Sequence, residues 1–211
     1  MVFLSQGIRK VVWHVEKLMS SFSPIKSKYI SNNCEPDMDE SPQYGIVEHR
    51  DIDIRMKAEF ISVAKELGQE VKAKVHSGDE SIRKVKCWRI PTNSYIGDVL
   101  NREIVSSNDV FNYKISNIQD IQYLEYNVGD YYDWHSDICY GISSTRKISI
   151  SCPLNYDFSG GQLEIMSDGK VVTCSEDYMV SFTSFLPHRV KKVTKGTRKC
   201  IVAWVNGESW R

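Results

Sequence analysis

The chain has 211 residues, 27 lysines and arginines against 27 aspartates and glutamates, and so no net charge. This length suits one domain with a substantial core and perhaps an appended segment, and the charge balance argues against binding driven by a phosphate-backbone field. No apolar run approaches a membrane span, and the six scattered cysteines form no C-x-x-C pair, which disfavours structural zinc and a disulfide framework and fits reduced thiols in the cytoplasm.

The N-terminus, Met1 to Leu4, is apolar, but Arg9 and Lys10 interrupt it too early for a secretory segment. A short strand is predicted around Val11–Val15. Residues 20–45 are rich in serine, asparagine and acid, with Pro24, Pro36 and Pro42 as breakers, so residues 1–45 read as a loop-rich extension. Residues 46–211 are expected to form the main domain, with helical support at about 51–117. Met56, Phe60, Val63 and Leu67 recur at the helical period, and Gly68 supplies a stop. A short strand is expected near Val71–Val75. A second helix follows near Ser94–Val105, with Ile96, Val99, Leu100 and Ile104 on one side and Ser94 as cap.

From Ile118 onward the pattern is that of eight strands, at about 119–126, 131–136, 146–154, 162–166, 170–174, 178–183, 187–193 and 199–205. Ile148, Ile150, Cys152 and Leu154 alternate with Lys147, Ser149, Ser151 and Pro153, a period of two. Gly160-Gly161 and Asp168-Gly169 mark turns, and Cys200–Val205, apolar on both faces, is expected to be central. The fold class is mainly β with flanking α-helices on one outer face: a double-stranded β-helix, the jelly roll of cupin-like proteins.

Three residues on these strands carry metal chemistry. His135 and Asp137 stand two apart, so their side chains leave the same face of a strand, about 7 Å apart along the backbone, while Trp134 and Ser136 face the other way. His188 opens the seventh strand behind Pro187. Two imidazoles and a carboxylate form the ligand set of non-haem iron(II), with positions left open on the far side of the ion. Arg198, ten residues after His188, points to a carboxylate-bearing cosubstrate beside that metal, because a guanidinium meets a carboxylate through two parallel hydrogen bonds. It shares strand parity with Val202 and Trp204. Tyr126, on the strand leading to His135, is either a second contact to the cosubstrate or a half-buried sheet tyrosine.

The runs Tyr126-Asn-Val-Gly-Asp-Tyr-Tyr-Asp-Trp-His-Ser-Asp137, Arg146-Lys-Ile-Ser149, Gly160-Gly-Gln-Leu163, Ser184-Phe-Leu-Pro-His-Arg-Val190, Gly196-Thr-Arg198 and Trp204 closely resemble the iron(II)/2-oxoglutarate-dependent dioxygenases of the prolyl 4-hydroxylase type. The resemblance covers about residues 80–211, with Lys84 to Pro91 and Asn101 to Tyr113 fitting more loosely. It implies Fe(II) on His135, Asp137 and His188, 2-oxoglutarate on Arg198 with Tyr126 as a further contact, and ascorbate as a reductant. The implied reaction hydroxylates an unactivated C–H bond with dioxygen, releasing succinate and carbon dioxide. The implied substrate is a prolyl or other residue of a protein or peptide. Tyr131 and Tyr132 fall at the pocket rim, and mostly apolar strand faces should surround the metal.

Two features depart from the family pattern. Related sequences often carry a serine or threonine two residues after the arginine, where this chain has Cys200, a poor donor. Others use a tyrosine on the third core strand, near Cys152 or Pro153 here. His14, His49 and His76 match nothing and are expected at the surface. The rivals are a small-molecule dioxygenase of the same mechanism and a non-catalytic cupin-like binding module, the latter disfavoured by an intact triad. A nucleic-acid demethylase is disfavoured by the neutral charge and the lack of a second downstream arginine before Arg211. A zinc hydrolase is disfavoured by the lack of a positioned base.

Overall fold

A computed structural model of the chain describes residues 27–30, 45–49, 54–72 and 80–210. The strand predicted at Val11–Val15, along with His14 and His76, lies outside the described residues. The first strand, β1 (Ser27–Ile30), falls within the stretch expected to be loop, and pairs with β2 (Ile46–His49). Helix α1 (Ile54–Leu67) ends where predicted: the Gly68 N–H donates to Ala64 O, and a Cβ at Gly68 would stand 2.3 Å from that oxygen. Of the strand expected near Val71–Val75, Val71 closes β3 (Gln69–Val71), and residues 73–75 lie outside the described residues.

After β4 (Arg83–Lys84) and β5 (Lys86–Ile90), helix α2 (Tyr95–Phe111) begins at the expected cap, with the Gly97 N–H donating to Ser94 Oγ. It runs six residues past the predicted end at Val105, because Phe111 continues its buried face. It stops at Asn112, whose φ of 53° closes the last turn in the left-handed region. The remaining strands are β6 (Ile115–Tyr126), β7 (Tyr131–His135), β8 (Arg146–Pro153), β9 (Ser159–Gly160), β10 (Leu163–Ser167), β11 (Lys170–Thr173), β12 (Met179–Thr183), β13 (His188–Val190), β14 (Val193–Lys195) and β15 (Arg198–Gly207). The eight predicted core strands thus appear within a few residues of their expected bounds. The exception is the seventh, which divides into β13, paired with β10 and β7, and β14, paired with β9.

Two sheets face one another, as a double-sheet jelly roll requires. The larger runs β1-β2-β12-β8-β15-β6-β5-β3, and the smaller β11-β10-β13-β7-β4. β15 lies between β8 and β6 and is central, as its two apolar faces predict. Those faces serve two cores. Ile201, Ala203 and Val205 look outward to the helices and join Phe60, Ile96, Leu100, Phe111, Ile121, Ile148 and Ile150. Cys200, with Leu124, Tyr126, Leu163, Phe182 and Val190, lies between the sheets.

β8 is buried along its whole length, so its alternation of apolar and polar residues does not separate core from solvent. Its apolar residues meet the helices, and its serines turn into the jelly roll. His49, expected at the surface, is 1 % exposed. Its Nδ1 lies 3.0 Å from Glu103 Oε2 on α2 and its Nε2 lies 3.0 Å from Ser181 Oγ on β12, which ties α2, β2 and β12 together. Among the described residues, no helix is long and apolar enough to cross a membrane.

Ile201 is fully buried where the larger sheet meets the helices. Ile201→Ala should cost about 2–5 kcal/mol of stability through the cavity it leaves. Urea unfolding followed by circular dichroism measures this, and a loss below about 1 kcal/mol would contradict the packing described.

Candidate metal centre and cosubstrate pocket

His135 ends β7 and His188 begins β13, and the antiparallel register sets these two residues directly opposite one another. Their ring centroids are 4.1 Å apart. Asp137 stands two residues past the end of β7, its backbone N–H donating to Ser184 O. His135 Nε2 lies 3.7 Å from Asp137 Oδ1, and His188 Nε2 lies 3.4 Å from Asp137 Oδ2. One donor atom from each of the three lies within 4.8 Å of the others, a cluster able to hold one metal ion.

The donor chemistry fits a divalent ion of the iron type. Each imidazole spends Nδ1 on a backbone carbonyl, His135 on Asp133 O at 2.8 Å and His188 on Leu186 O at 2.9 Å. Both Nε2 atoms are thereby left toward the cluster, the arrangement by which a neighbouring acceptor fixes a ligating tautomer. Burial, then the neighbouring His188, pushes the His135 imidazole down to about 3, so it is neutral as a ligand must be. Burial alone would raise Asp137. His188, His135 and the Ser149 hydroxyl outweigh it and hold the carboxyl below its usual range, so the cluster keeps its one anion.

The surrounding groups were not singled out by the sequence. Ser149 Oγ donates to Asp137 Oδ2 at 2.6 Å and lies 2.9 Å from Ser184 Oγ. Arg146 donates to Asp137 O at 3.2 Å and to Gln119 Oε1 at 2.7 Å, with its guanidinium over the Trp204 ring. Tyr132, expected only at the rim, stacks on His135 with ring centroids 3.4 Å apart and planes 12° apart. Arg83 lies over the other side of Tyr132 at 4.7 Å. The parity of β8 could have revealed Ser149, since an inward serine facing a carboxylate is a hydrogen bond in waiting. Arg83 comes from a two-residue strand with no sequence signature. Trp134 faces away as predicted, under the Arg189 guanidinium.

A pocket of about 430 Å³, counting its open mouth, joins the cluster to Arg198, Tyr126, Cys200, Val202 and Trp204. The strand parity predicted for Arg198, Val202 and Trp204 therefore holds. Arg198 pairs with Tyr126 across β15 and β6, so both side chains enter from one rung of the sheet, the guanidinium 5.4 Å from the phenol ring centre. Arg198 is 3 % exposed. One of its NH groups donates to Cys200 Sγ at 2.9 Å, and among the described residues it forms no ion pair. Gly161 lets the chain pass close by: its φ is 70°, and a Cβ there would come within 3.1 Å of Arg198 Cδ. Burial pushes the Tyr126 phenol well up, so it stays a proton donor, and among the described residues it meets no hydrogen-bond partner. The lining is mostly apolar, as expected. Leu124, Leu163, Phe182, Val190 and Val202 provide apolar walls, but Ser151 and two guanidiniums share them.

Residues 121–206 match the family described as the 2OG-Fe(II) oxygenase superfamily. Among solved structures, a Pseudomonas putida prolyl-4-hydroxylase is similar over 79 % of this chain and 94 % of its own, with 18 % identity and a TM-score of 0.62. A Trichoplax adhaerens prolyl hydroxylase, solved with a hypoxia inducible factor oxygen degradation domain peptide fragment, is similar over 78 % of this chain and 83 % of its own, with 21 % identity and a TM-score of 0.65. The viral collagen prolyl hydroxylase of Paramecium Bursaria Chlorella virus-1, in its 2OG complex, covers 78 % of this chain and 96 % of its own, with 16 % identity and a TM-score of 0.58. At these identities the three establish a shared fold. No curated protein sequence matches the chain.

The hydrogen bond from Ser149 to Asp137 makes a specific prediction. Ser149→Ala should weaken Mn(II) binding by roughly 10–100-fold, as loss of groups that orient metal ligands does, with the fold intact. Metal competition with a fluorescent chelator measures it, and unchanged affinity would remove Ser149 from the centre.

Proposed function

We propose that the chain is a 2-oxoglutarate-dependent dioxygenase, in keeping with the match of residues 121–206 to the 2OG-Fe(II) oxygenase superfamily, that His135, Asp137 and His188 hold its iron, and that Arg198 and Tyr126 bind the 2-oxoglutarate. The observation that carries this assignment is the state of Arg198. A guanidinium cannot shed its proton, and burying one without a counter-charge is costly. Arg198 is nearly fully buried and forms no ion pair among the described residues, yet it opens into the same pocket as the three donor residues. A carboxylate-bearing ligand supplies the missing charge.

Iron bound there supplies the activation of dioxygen, and the residues supply order around it. The Arg198 fork and the neutral Tyr126 phenol fix the cosubstrate by its carboxylates. The Asp133 and Leu186 carbonyls hold the two imidazoles in the ligating tautomer. Tyr132 packs flat on His135 and keeps it from turning. Leu124, Phe182 and Val202 keep water from the reacting centre. The proposed products are succinate, carbon dioxide and a hydroxylated substrate, the substrate being a prolyl or other residue of a protein or peptide. Its support is the family resemblance and the likeness to a hydroxylase solved with a peptide fragment.

The test is succinate formation from 2-oxoglutarate with Fe(II), with and without a panel of proline-bearing peptides. Peptide-stimulated succinate together with a peptide mass gain of one oxygen is the expected result. Succinate formed only with small molecules would overturn the peptide substrate. Arg198→Ala should raise the 2-oxoglutarate requirement by roughly 10–100-fold, the worth of a charge-assisted pair, and leave metal affinity within about twofold. An equal loss of both would contradict the role of Arg198.

A further inference from the structure

β15 ends at Gly207, and the residues after it pack against the start of β8. Gly207 passes so close to Lys114 that a Cβ would stand 2.1 Å from its carbonyl oxygen, and Glu208 donates its N–H to that same oxygen at 3.1 Å. This contact delivers Trp210 to β8. Its indole N–H donates to Arg146 O at 3.1 Å, and the Lys147 ammonium lies 3.4 Å from its ring centre. The ring meets Phe185 and Tyr113 edge to face, with centroids 5.6 Å and 5.5 Å away. Trp210 is 37 % exposed and belongs to neither apolar core.

Each of these four partners leads to the segments that hold the metal ligands. The Arg146 guanidinium donates to Asp137 O at 3.2 Å. Lys147 O accepts from the Ser184 N–H at 3.0 Å. Tyr113 Oη lies 3.2 Å from Thr183 Oγ1. Phe185 belongs to the turn of residues 184–187, and that turn grips both sides of the ligand set. Ser184 O accepts the N–H of Asp137 and the hydroxyl of Ser136, and Ser184 Oγ lies against Ser149 Oγ. Two residues on, Leu186 O takes His188 Nδ1. One turn thus fixes the direction of Asp137 and the tautomer of His188. It contains no strand or helix of its own, so its shape depends on what packs against it.

We propose that Trp210 is a positioning residue of the metal centre: it clamps the 184–187 turn to the start of β8 from outside and so holds Asp137 and His188 in the geometry that takes up the ion. The proposal rests on the function proposed above. Trp210 touches none of the three donor residues, and it acts through Arg146, Lys147 and Phe185. The physical reason is preorganisation. Donor groups already held in place lose less freedom when the ion arrives, and the groups that orient them carry a large part of the affinity. The bland alternative is that Trp210 only covers apolar surface.

The experiment measures Mn(II) affinity by chelator competition and the visible ligand-field bands of the Co(II)-loaded protein, which follow the donor angles. Trp210→Ala should weaken Mn(II) binding roughly tenfold, the low end of what loss of a ligand-orienting group costs, and should shift the Co(II) bands. Tyr156→Ala is the comparison. It removes another half-exposed ring, one that accepts from Lys57 Nζ at 2.6 Å, and should leave Mn(II) affinity within about twofold and the bands in place. Equal losses in the two variants would mean general loosening and overturn the proposal, as would wild-type affinity with unshifted bands in Trp210→Ala. Trp210→Phe keeps a ring there but loses the N–H donated to Arg146 O. It should lose roughly threefold or more, the worth of one neutral hydrogen bond, and carries the test if the alanine variant does not fold. Wild-type affinity in it would then overturn the proposal. Failure of the wild-type protein to bind Mn(II) is a separate outcome: it overturns the metal centre itself, and this proposal with it.

Discussion

The pairing of His188 with His135 across β13 and β7 is the constraint on which the site depends. Antiparallel strands place directly opposed side chains about 5 Å apart on one face, and that is the scale of a shared metal ion. A slip of one residue would turn either imidazole to the far side of the sheet. Little of the pairing energy comes from these two short strands. The smaller sheet is held in register by its face-to-face packing on the larger one, through Leu124, Leu163, Phe182 and Val190. The larger sheet is in turn backed by two helices, through a core that includes Phe60, Phe111 and Ile201. The buried contacts of His49 with Glu103 and Ser181 fasten β2 to this layer.

The second constraint is electrostatic. A jelly-roll interior is a poor place for ions, yet this one contains the Asp137 carboxylate and the guanidiniums of Arg146 and Arg198, all nearly buried. Asp137 is compensated from several sides, by Ser149, by the backbone contact of Arg146 with its own carbonyl, and by the imidazoles. Arg198 differs in kind. Its direct contacts are a sulfur and an aromatic ring, and the Glu176 carboxylate acts on it without forming an ion pair among the described residues. An interior arranged in this way is stable in proportion to what binds there, since a ligand that favours the folded state stabilises it by mass action.

Much of this was legible in the chain. The period-two segments, the glycine turns and the spacing of His135, Asp137, His188 and Arg198 mark a β jelly roll with a donor cluster and a cation on neighbouring strands. Tyr126 was ambiguous, because a tyrosine on a strand suits a sheet as well as a ligand. Only its pairing opposite Arg198 puts it in the pocket. Two misreadings have one cause, that sequence pattern does not say how many sides of an element are covered. β8 alternates as a half-exposed strand does, but helices cover one side and the second sheet the other, so its serines are interior groups. His49 lies in a short strand far along the chain from α2, and nothing local signals that Glu103 will meet it. Arg83 was invisible for a similar reason, reaching the pocket from a two-residue strand whose position is set by its pairing with β7.

The central claim is that one pocket holds a metal on His135, Asp137 and His188 and a dicarboxylate on Arg198. Anomalous diffraction from crystals grown anaerobically with Fe(II) and 2-oxoglutarate tests it most directly. The predicted result is one iron peak within about 2.0–2.2 Å of both Nε2 atoms and an Asp137 oxygen, with the ligand's far carboxylate against the Arg198 guanidinium. Iron at another site, or a carboxylate bound away from Arg198, would contradict it.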